Sequence, residues 1–425
     1  MTGDPTRIHS MRIPDDDAPH GRAAVLRSMD NCTKCGICQT YCPVAAATDA
    51  FPGPKVVGPQ AQRFRVIEAI DEQSSALCSG CGVCSSVCPN EVAIADIIAI
   101  AKAERTAMGR SPGLGQRLLN RPDLVGRVAE LMPPLANALL GNRWLRGAAE
   151  RLLGLSRRAA LPRIRGPQFR RWLALRSQPE GPRLAYFTGC AVEHYDPAVG
   201  IALVRVLNHL GYRVDAPTRA CCSLPMLSNG EWGPARARAG RLVGELAEAA
   251  AGAEAIVASS TSCSLTLRAK YAAYLDLDDA PARRVAGAVR DICEFLRDGP
   301  IERLAPDLRA VRARAIYHGP CQLRGHRMGQ PALELLARIP GLEIERSRAA
   351  CCGTAGTYGY DRDKRPVADA VAAGLMAQIA AARPDFVLCD SETCRWHIAA
   401  ESGRPCFHPV ELLAASLEGR ALRAE

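Results

Sequence analysis

From about residue 181 the chain alternates short runs of consecutive apolar residues with longer amphipathic stretches. Leu184-Ala-Tyr-Phe-Thr188 predicts a strand, Ile201 to Leu210 a helix, Tyr212 to Ala216 a strand, Pro234 to Ala251 a helix and Ala255 to Ser259 another strand. The same order returns as Ala313 to His318, Pro331 to Arg338, Leu342 to Glu345, Pro366 to Ala382 and Phe386 to Leu388. Strand and helix in alternation imply a parallel sheet covered on both faces, hence two Rossmann-like α/β modules at 181–300 and 301–425. Upstream the pattern is helical. Val92 to Ala103 is apolar on nearly every face except at Asp96, which predicts a buried helix. With the helical stretch Arg63 to Ile70 it places a small α-helical domain at 30–110, so the fold class is α+β multidomain. Within 111–180, Leu124, Val128 and Leu131 keep helical spacing until Pro133-Pro134 breaks the run, and Leu140 and Trp144 start another. That stretch reads as a linker with short amphipathic helices. Residues 1–29 are polar, with Asp15, Asp16 and Asp17, and read as a flexible tail.

Charge sharpens the view of the linker. The formal net charge is +10, and residues 111–180 hold 13 arginines against Asp123, Glu130, Glu150 and Glu180, so the basicity is local. Arginine beside leucine and tryptophan suits an anionic membrane surface, and the other reading is a solvated basic connector. Aromatics make up only 5% of residues, and no nucleic-acid reading motif accompanies the charge, so nucleic acid is not an expected partner. No uninterrupted apolar stretch approaches the roughly 18 to 20 residues of a spanning helix. No secretory signal is visible in the polar first 29 residues, and the expected location is the cytoplasm, with peripheral attachment to the cytoplasmic membrane.

The 19 cysteines supply the chemistry. Two runs, Cys32-x2-Cys35-x2-Cys38-x3-Cys42-Pro43 and Cys78-x2-Cys81-x2-Cys84-x3-Cys88-Pro89, have the spacing that wraps three thiolates around a [4Fe–4S] cube. In two-cluster ferredoxins the fourth cysteine of each run serves the other cluster. Cys32, Cys35, Cys38 and Cys88 are therefore assigned to one cube, and Cys78, Cys81, Cys84 and Cys42 to the other. Structural zinc also takes four thiolates, but two complete runs, each with its trailing proline, favour iron. A sparser pattern, Cys190, Cys221-Cys222, Cys263, returns as Cys321, Cys351-Cys352, Cys394 at offsets of 131, 130 and 131 residues. Each of these cysteines falls at the C-terminal end of an expected strand or on the loop after it, where open α/β sheets place ligands. Vicinal thiolates suit neighbouring irons of one cluster, so each module is expected to hold a further iron–sulfur cluster. Tight spacing and an odd count fit reduced thiolates and not a disulfide framework. Cys293 and Cys406 lack a repeat partner and read as buried structural thiols. His318 and His408, near Cys321 and Cys406, are candidates to bond a cluster sulfur or to cap a helix. No Gly-x-Gly-x-x-Gly follows a strand and no P-loop is present, so neither flavin nor nicotinamide is expected in this chain.

These residues carry a family resemblance. The modules resemble the CCG-type cysteine-rich domains of the heterodisulfide reductase B subunit and of the iron–sulfur subunits of glycolate, lactate and anaerobic glycerol-3-phosphate dehydrogenases. The last group is matched most specifically, over about residues 30–425. The stretches are Phe51-Pro-Gly-Pro-Lys-Val-Val-Gly-Pro59, Asp291-Ile-Cys-Glu-Phe-Leu296, Tyr317-His-Gly-Pro-Cys321, Cys351-Cys-Gly-Thr-Ala-Gly-Thr-Tyr-Gly359, Glu392-Thr-Cys-Arg-Trp396 and His408-Pro-Val-Glu-Leu-Leu413. The full module pattern ends in Cys-x2-Cys, whereas Ser260 and Ser391 stand first here, and Ser223 replaces the usual glycine after Cys221-Cys222. Four thiolates per module favour a conventional cube over a non-cubane cluster, with Cys389 a candidate fifth thiolate in the second module.

The resemblance implies an electron-transfer subunit with no catalytic residue of its own. An FAD-containing dehydrogenase partner would oxidise glycerol 3-phosphate to dihydroxyacetone phosphate, and electrons would pass through this chain toward membrane quinone. Two other readings stay open. One is a catalytic thiol or disulfide subunit of the heterodisulfide reductase kind. The other is the same relay serving a lactate or glycolate dehydrogenase.

Overall fold

The computed structural model describes residues 21–68 and 73–422. The aspartates at 15–17 and the far end of the stretch expected to be helical at 63–70 lie outside the described residues. The last part of the expected tail is ordered: Gly21–Arg27 is a helix with Val25 buried, and Arg22 pairs with Glu104 at 3.4 Å. The amphipathic pattern of those seven residues gives them a core face, which the polar composition upstream concealed.

Each module is built on a four-stranded parallel sheet. The first contains β1 (Arg183–Phe187), β2 (Arg213–Asp215), β3 (Ala255–Ala258) and β4 (Val289–Asp291) in the order β2-β1-β3-β4. The second contains β5 (Ala313–Tyr317), β6 (Leu342–Arg346), β7 (Phe386–Leu388) and β8 (Cys406–Phe407) in the matching order β6-β5-β7-β8. Strand β1 shows why such strands are apolar throughout. Leu184 and Tyr186 enter the core with Val199, Leu203 and Leu207 of the helix Pro197–His209. Ala185 and Phe187 point the other way, into the core with Ala235, Ala239 and Leu242 of the helix Trp232–Ala250. The period-two alternation thus serves two covered faces.

The two modules share a seam related by the internal repeat. Tyr186 Oη lies 2.8 Å from Ser259 Oγ, and its counterpart Tyr317 donates to Asp390 Oδ2 at 3.1 Å. Asp291 caps the helix Ile292–Asp298 in a capping box with Glu294, as His408 caps Pro409–Glu418 with Glu411. His408 Nδ1 accepts from Val410 N at 3.0 Å, so its Nε2 donates to Ser259 O across the seam at 2.8 Å. Burial holds its pKa down at about 3, which keeps this neutral tautomer. On the other arm Asp291 and Asp390 approach within 4.8 Å, with Cys293 beside them. Burial raises Asp291 to about 7. The unfolded chain loses this proton near pH 4 while the folded one keeps it, so folded protein binds more protons in the window between. The contribution of Asp291 to stability should therefore fall as pH rises through that window, by up to about 1.4 kcal/mol per pH unit, against the opposite contribution of His318, His326 and His408, which burial keeps neutral. Asp291→Asn keeps the cap and removes this contribution, so the stability of the parent minus that of the variant should fall as pH rises; thermal melts of both between pH 5.5 and 7 are the measurement.

Ahead of the modules, the helix Ile94–Ala107 buries Ile94, Ile97, Ile98 and Ile100. Asp96, the polar exception in that stretch, accepts from Tyr274 Oη of the first module at 2.6 Å. The stretch expected as a linker folds into Leu114–Leu119, Pro122–Ala129, Pro133–Gly141, Arg143–Leu153 and Gln168–Ala174. Two of its four acids are anchors. Asp123 is buried against Arg238, and Glu130 meets His194 and Arg219, each at 2.9 Å. What remains outward includes Leu124, Val128, Leu131, Trp144 and Leu152, 50–82% exposed.

Candidate metal centre

Two short helical turns, Ile37–Thr40 and Val83–Ser86, present the tight cysteine spacings. Burial, then the sulfurs of Cys88, Cys32 and Cys35, push the Cys38 thiol up from its ordinary range. Cys88 therefore sits with the first run and not with its own. Reciprocally, burial raises Cys42 to about 11, and the sulfurs that add to it are Cys81 and Cys78. Cys42, Cys78, Cys81 and Cys84 line one small pocket closed by Val44, Phe51 and Pro54. Cys84 feels Cys78, Cys81 and Cys42 most and Cys38 beyond them, which places the two sets side by side.

In the first module Cys190 follows β1, Cys221 and Cys222 follow β2, and Cys263 lies in Thr261–Leu265 after β3. The hydrogen bond to Cys221, then burial, raises Cys190. Cys222 and Cys263 sulfurs stand 3.4 Å apart, too far for a disulfide and close enough to share one ligand. In the second module contacts run from Cys321 to Cys351, Cys352, Cys394 and then Cys389. Cys389, fully buried, thus joins this set, while its counterpart in the first module is Ala258. All 19 cysteines are free thiols.

The residue after each vicinal pair explains the motif. Gly353 has φ +91°, and Ser223 has φ +60°, both left-handed. That turn aims the backbone N–H at the first sulfur: Gly353 N lies 3.4 Å from Cys351 Sγ, and Ser223 N lies 3.4 Å from Cys221 Sγ. Such donors stabilise thiolate and help set the potential of a sulfur-ligated centre. Ser223 follows the same path without glycine, and its Oγ is buried without a partner.

The donor chemistry fits iron–sulfur binding. Four compact sets of soft sulfur ligands converge here, most of them buried, and a bound cation would hold them as thiolates. Orphaned polar atoms cluster nearby: Ser260 Oγ, standing where the fuller pattern has cysteine, and His318 Nε2 are both buried without a partner. His318 Nδ1 is taken by Ser347 Oγ at 2.7 Å. His408, by contrast, serves as cap and seam contact. Cys293 is fully buried in the seam core, and Cys406 is partly buried near Cys389. Trp396 stacks edge-on to Tyr195 at 6.0 Å, a packing role.

Sequence spacing held no sign of the residues that link the sets. Cys81 and Cys321 share an apolar contact cluster with Val83, which brings the second ferredoxin run against the second module. Tyr271 donates to Cys222 O at 2.9 Å, and Tyr274 lies among Asp96, Cys78 and Cys84.

Comparison with known proteins identifies the domains that carry these cysteines. Residues 28–92 match the 4Fe-4S dicluster domain family, and residues 184–268 and 315–399 each match the Cysteine-rich domain family. The C subunit of anaerobic glycerol-3-phosphate dehydrogenase from Escherichia coli (strain K12) is 35% identical over 398 residues, covering 92% of this chain and 99% of the relative. The B subunit of fumarate reductase (CoM/CoB) from Methanothermobacter marburgensis is 32% identical, covering 52% of this chain and 42% of the relative. The glycolate oxidase iron-sulfur subunit of Escherichia coli (strain K12) is 28% identical, covering 56% and 58%. With a dicluster domain followed by two cysteine-rich modules, and near-complete coverage of that first relative, the chain belongs to the family of anaerobic glycerol-3-phosphate dehydrogenase C subunits.

Proposed function

We propose that this chain carries electrons from an FAD-containing dehydrogenase, acting on glycerol 3-phosphate, toward quinone in the membrane it adheres to. The ligands would be Cys32, Cys35, Cys38 and Cys88 for one [4Fe–4S] cluster, and Cys78, Cys81, Cys84 and Cys42 for the second. Cys190, Cys221, Cys222 and Cys263 would hold a third cluster. Cys321, Cys351, Cys352 and Cys394, with Cys389 adjoining, would hold a fourth. When bound, such clusters supply one-electron chemistry at potentials the protein tunes. The observation that carries the reading is the continuity of the sulfur sets, through Cys38 and Cys84, then Cys81 and Cys321. Among the described cysteines Cys35 alone is exposed, so the partner would approach at that corner. Glycerol 3-phosphate is preferred over glycolate or lactate because the glycolate relative covers barely half of this chain.

Attachment to the membrane is supported by the exposed apolar side chains on 114–153, interleaved with the exposed Arg117, Arg127, Arg143 and Arg151. No described helix is long and apolar enough to cross a membrane, so a surface mode is the one at issue. The test is anaerobic reconstitution with the dehydrogenase subunits and anionic vesicles containing quinone. Glycerol 3-phosphate should bleach this chain's visible absorbance and drive quinone reduction only when the chain is present. Anaerobic iron analysis should give about sixteen irons per chain. Each basic residue near the surface is worth about 1 kcal/mol, so changing all four arginines to glutamine should weaken vesicle co-sedimentation at least about tenfold and leave iron content intact. Colourless protein would end the relay reading, and unchanged sedimentation would end the anchor.

A further inference from the structure

Lys270 closes the π-helical turn Thr266–Lys270 of the first module, immediately before the Tyr271 that bonds the Cys222 carbonyl. Its Nζ donates to Gln322 Oε1 at 2.7 Å. Gln322 in turn follows Cys321, and its Nε2 lies 4.0 Å from Cys321 Sγ and 3.3 Å from the carbonyl of Gly80, inside the Cys78–Cys81 loop. On the other side, the ammonium stands 5.9 Å from the Tyr274 ring, whose hydroxyl bonds Asp96 on the helix beneath the ferredoxin sites. Lys270, Asp96, Gln322 and Cys321 all line one cleft of about 900 Å³. The side chains that hold this cation thus reach the second module's set and the second ferredoxin run, and the next residue in the chain, Tyr271, bonds the backbone of Cys222 in the first module's set.

We propose that Lys270 is a positioning residue that acts as the common counter-charge of both module sites, with Gln322 as the arm that holds it in place. The inference rests on the reading that both modules hold clusters. A fixed positive charge in a partly desolvated gap favours the more negative, reduced state of any redox centre within its reach, and raises the midpoint potential accordingly. Burial lowers the pKa of the ammonium, while Asp96, Cys321 and Cys222 oppose that in this order. Cys321 records the same attraction from its own side. Because one charge serves two sites, it ties their potentials together.

Redox titration of the anaerobic full chain followed by EPR tests this, with each signal first assigned by its loss in Cys263→Ala, Cys394→Ala or Cys88→Ala. Lys270→Met keeps the aliphatic stem and removes the charge. The Cys263-dependent and Cys394-dependent midpoints should both move negative, while the Cys88-dependent one, outside the Gln322 network, stays. Lys270→Arg, which keeps the charge, should restore both. If the module signals exist and Lys270→Met leaves them unmoved, the inference fails alone. An equal movement of all signals, with loss of iron, would mean general loosening and would also overturn it. A parent chain without any module signal would sink the cluster assignment and this inference together.

Discussion

Cys88→Ala should strip iron from the site of Cys32, Cys35 and Cys38 and leave the site of Cys78, Cys81 and Cys84 intact, although Cys88 belongs to the second run in sequence. The neighbouring sulfurs decide this: Cys88 is the foremost sulfur acting on Cys38, whereas Cys42 lines the pocket with Cys78, Cys81 and Cys84. Cys42→Ala should give the reciprocal loss. A cube that loses one thiolate releases one iron at its unligated corner or all four, so iron per chain should fall by about one to four. Paired EPR spectra show which signal disappears. Loss of the Cys78 signal in the Cys88 variant would return each run to its own cluster.

Gly353→Ala should be among the most damaging substitutions of a residue that is not a ligand. A Cβ at φ +91° is already strained, and it would meet the Ala368 carbonyl oxygen and the Ala372 side chain at 2.9 Å. Both lie on the helix Arg365–Ala382, whose backbone has nowhere to retreat without lifting off the sheet. The strain alone costs on the order of 1–2 kcal/mol. Backbone overlap adds roughly 1–3 kcal/mol, and the displaced loop should lose the N–H on Cys351. The expected result is a chain with one module cluster missing and a lower melting temperature. The opposite sign is expected for Ser223→Gly. It relieves a left-handed serine and an unpartnered hydroxyl, for a gain of about 1–2 kcal/mol. Thermal denaturation of both variants measures the pair.

Much of this architecture is legible in the letters for a definite reason. Strands such as Leu184 to Phe187 are covered on both faces, so they read as unbroken apolar runs, and the internal duplication writes the pattern twice. The strands that escaped are β4 and β8, three and two residues long, too short to show a period against their flanks. Pro133-Pro134 reads as a breaker and is instead the first turn of Pro133–Gly141, where a missing N–H costs nothing. Net charge likewise describes the 111–180 stretch but hides Asp123 and Glu130, which turn inward and fasten it to Arg238, His194 and Arg219. The Lys270–Gln322 contact joins residues 52 apart in sequence and depends on how two modules and a third domain meet. No spacing rule encodes such a meeting.

The seam between the modules bears on how the protein is made. Cys222, Cys263, Cys352 and Cys394 are all less than 7% exposed, beneath loops that His408 and Asp390 lock by reaching the backbone of Ser259 and Thr261 in the other half. If the modules hold the clusters proposed above, these four sulfurs are harder to reach once those latches close. On that reading cargo enters more easily before the carboxy-terminal half docks, and protein folded without iron should take it up slowly.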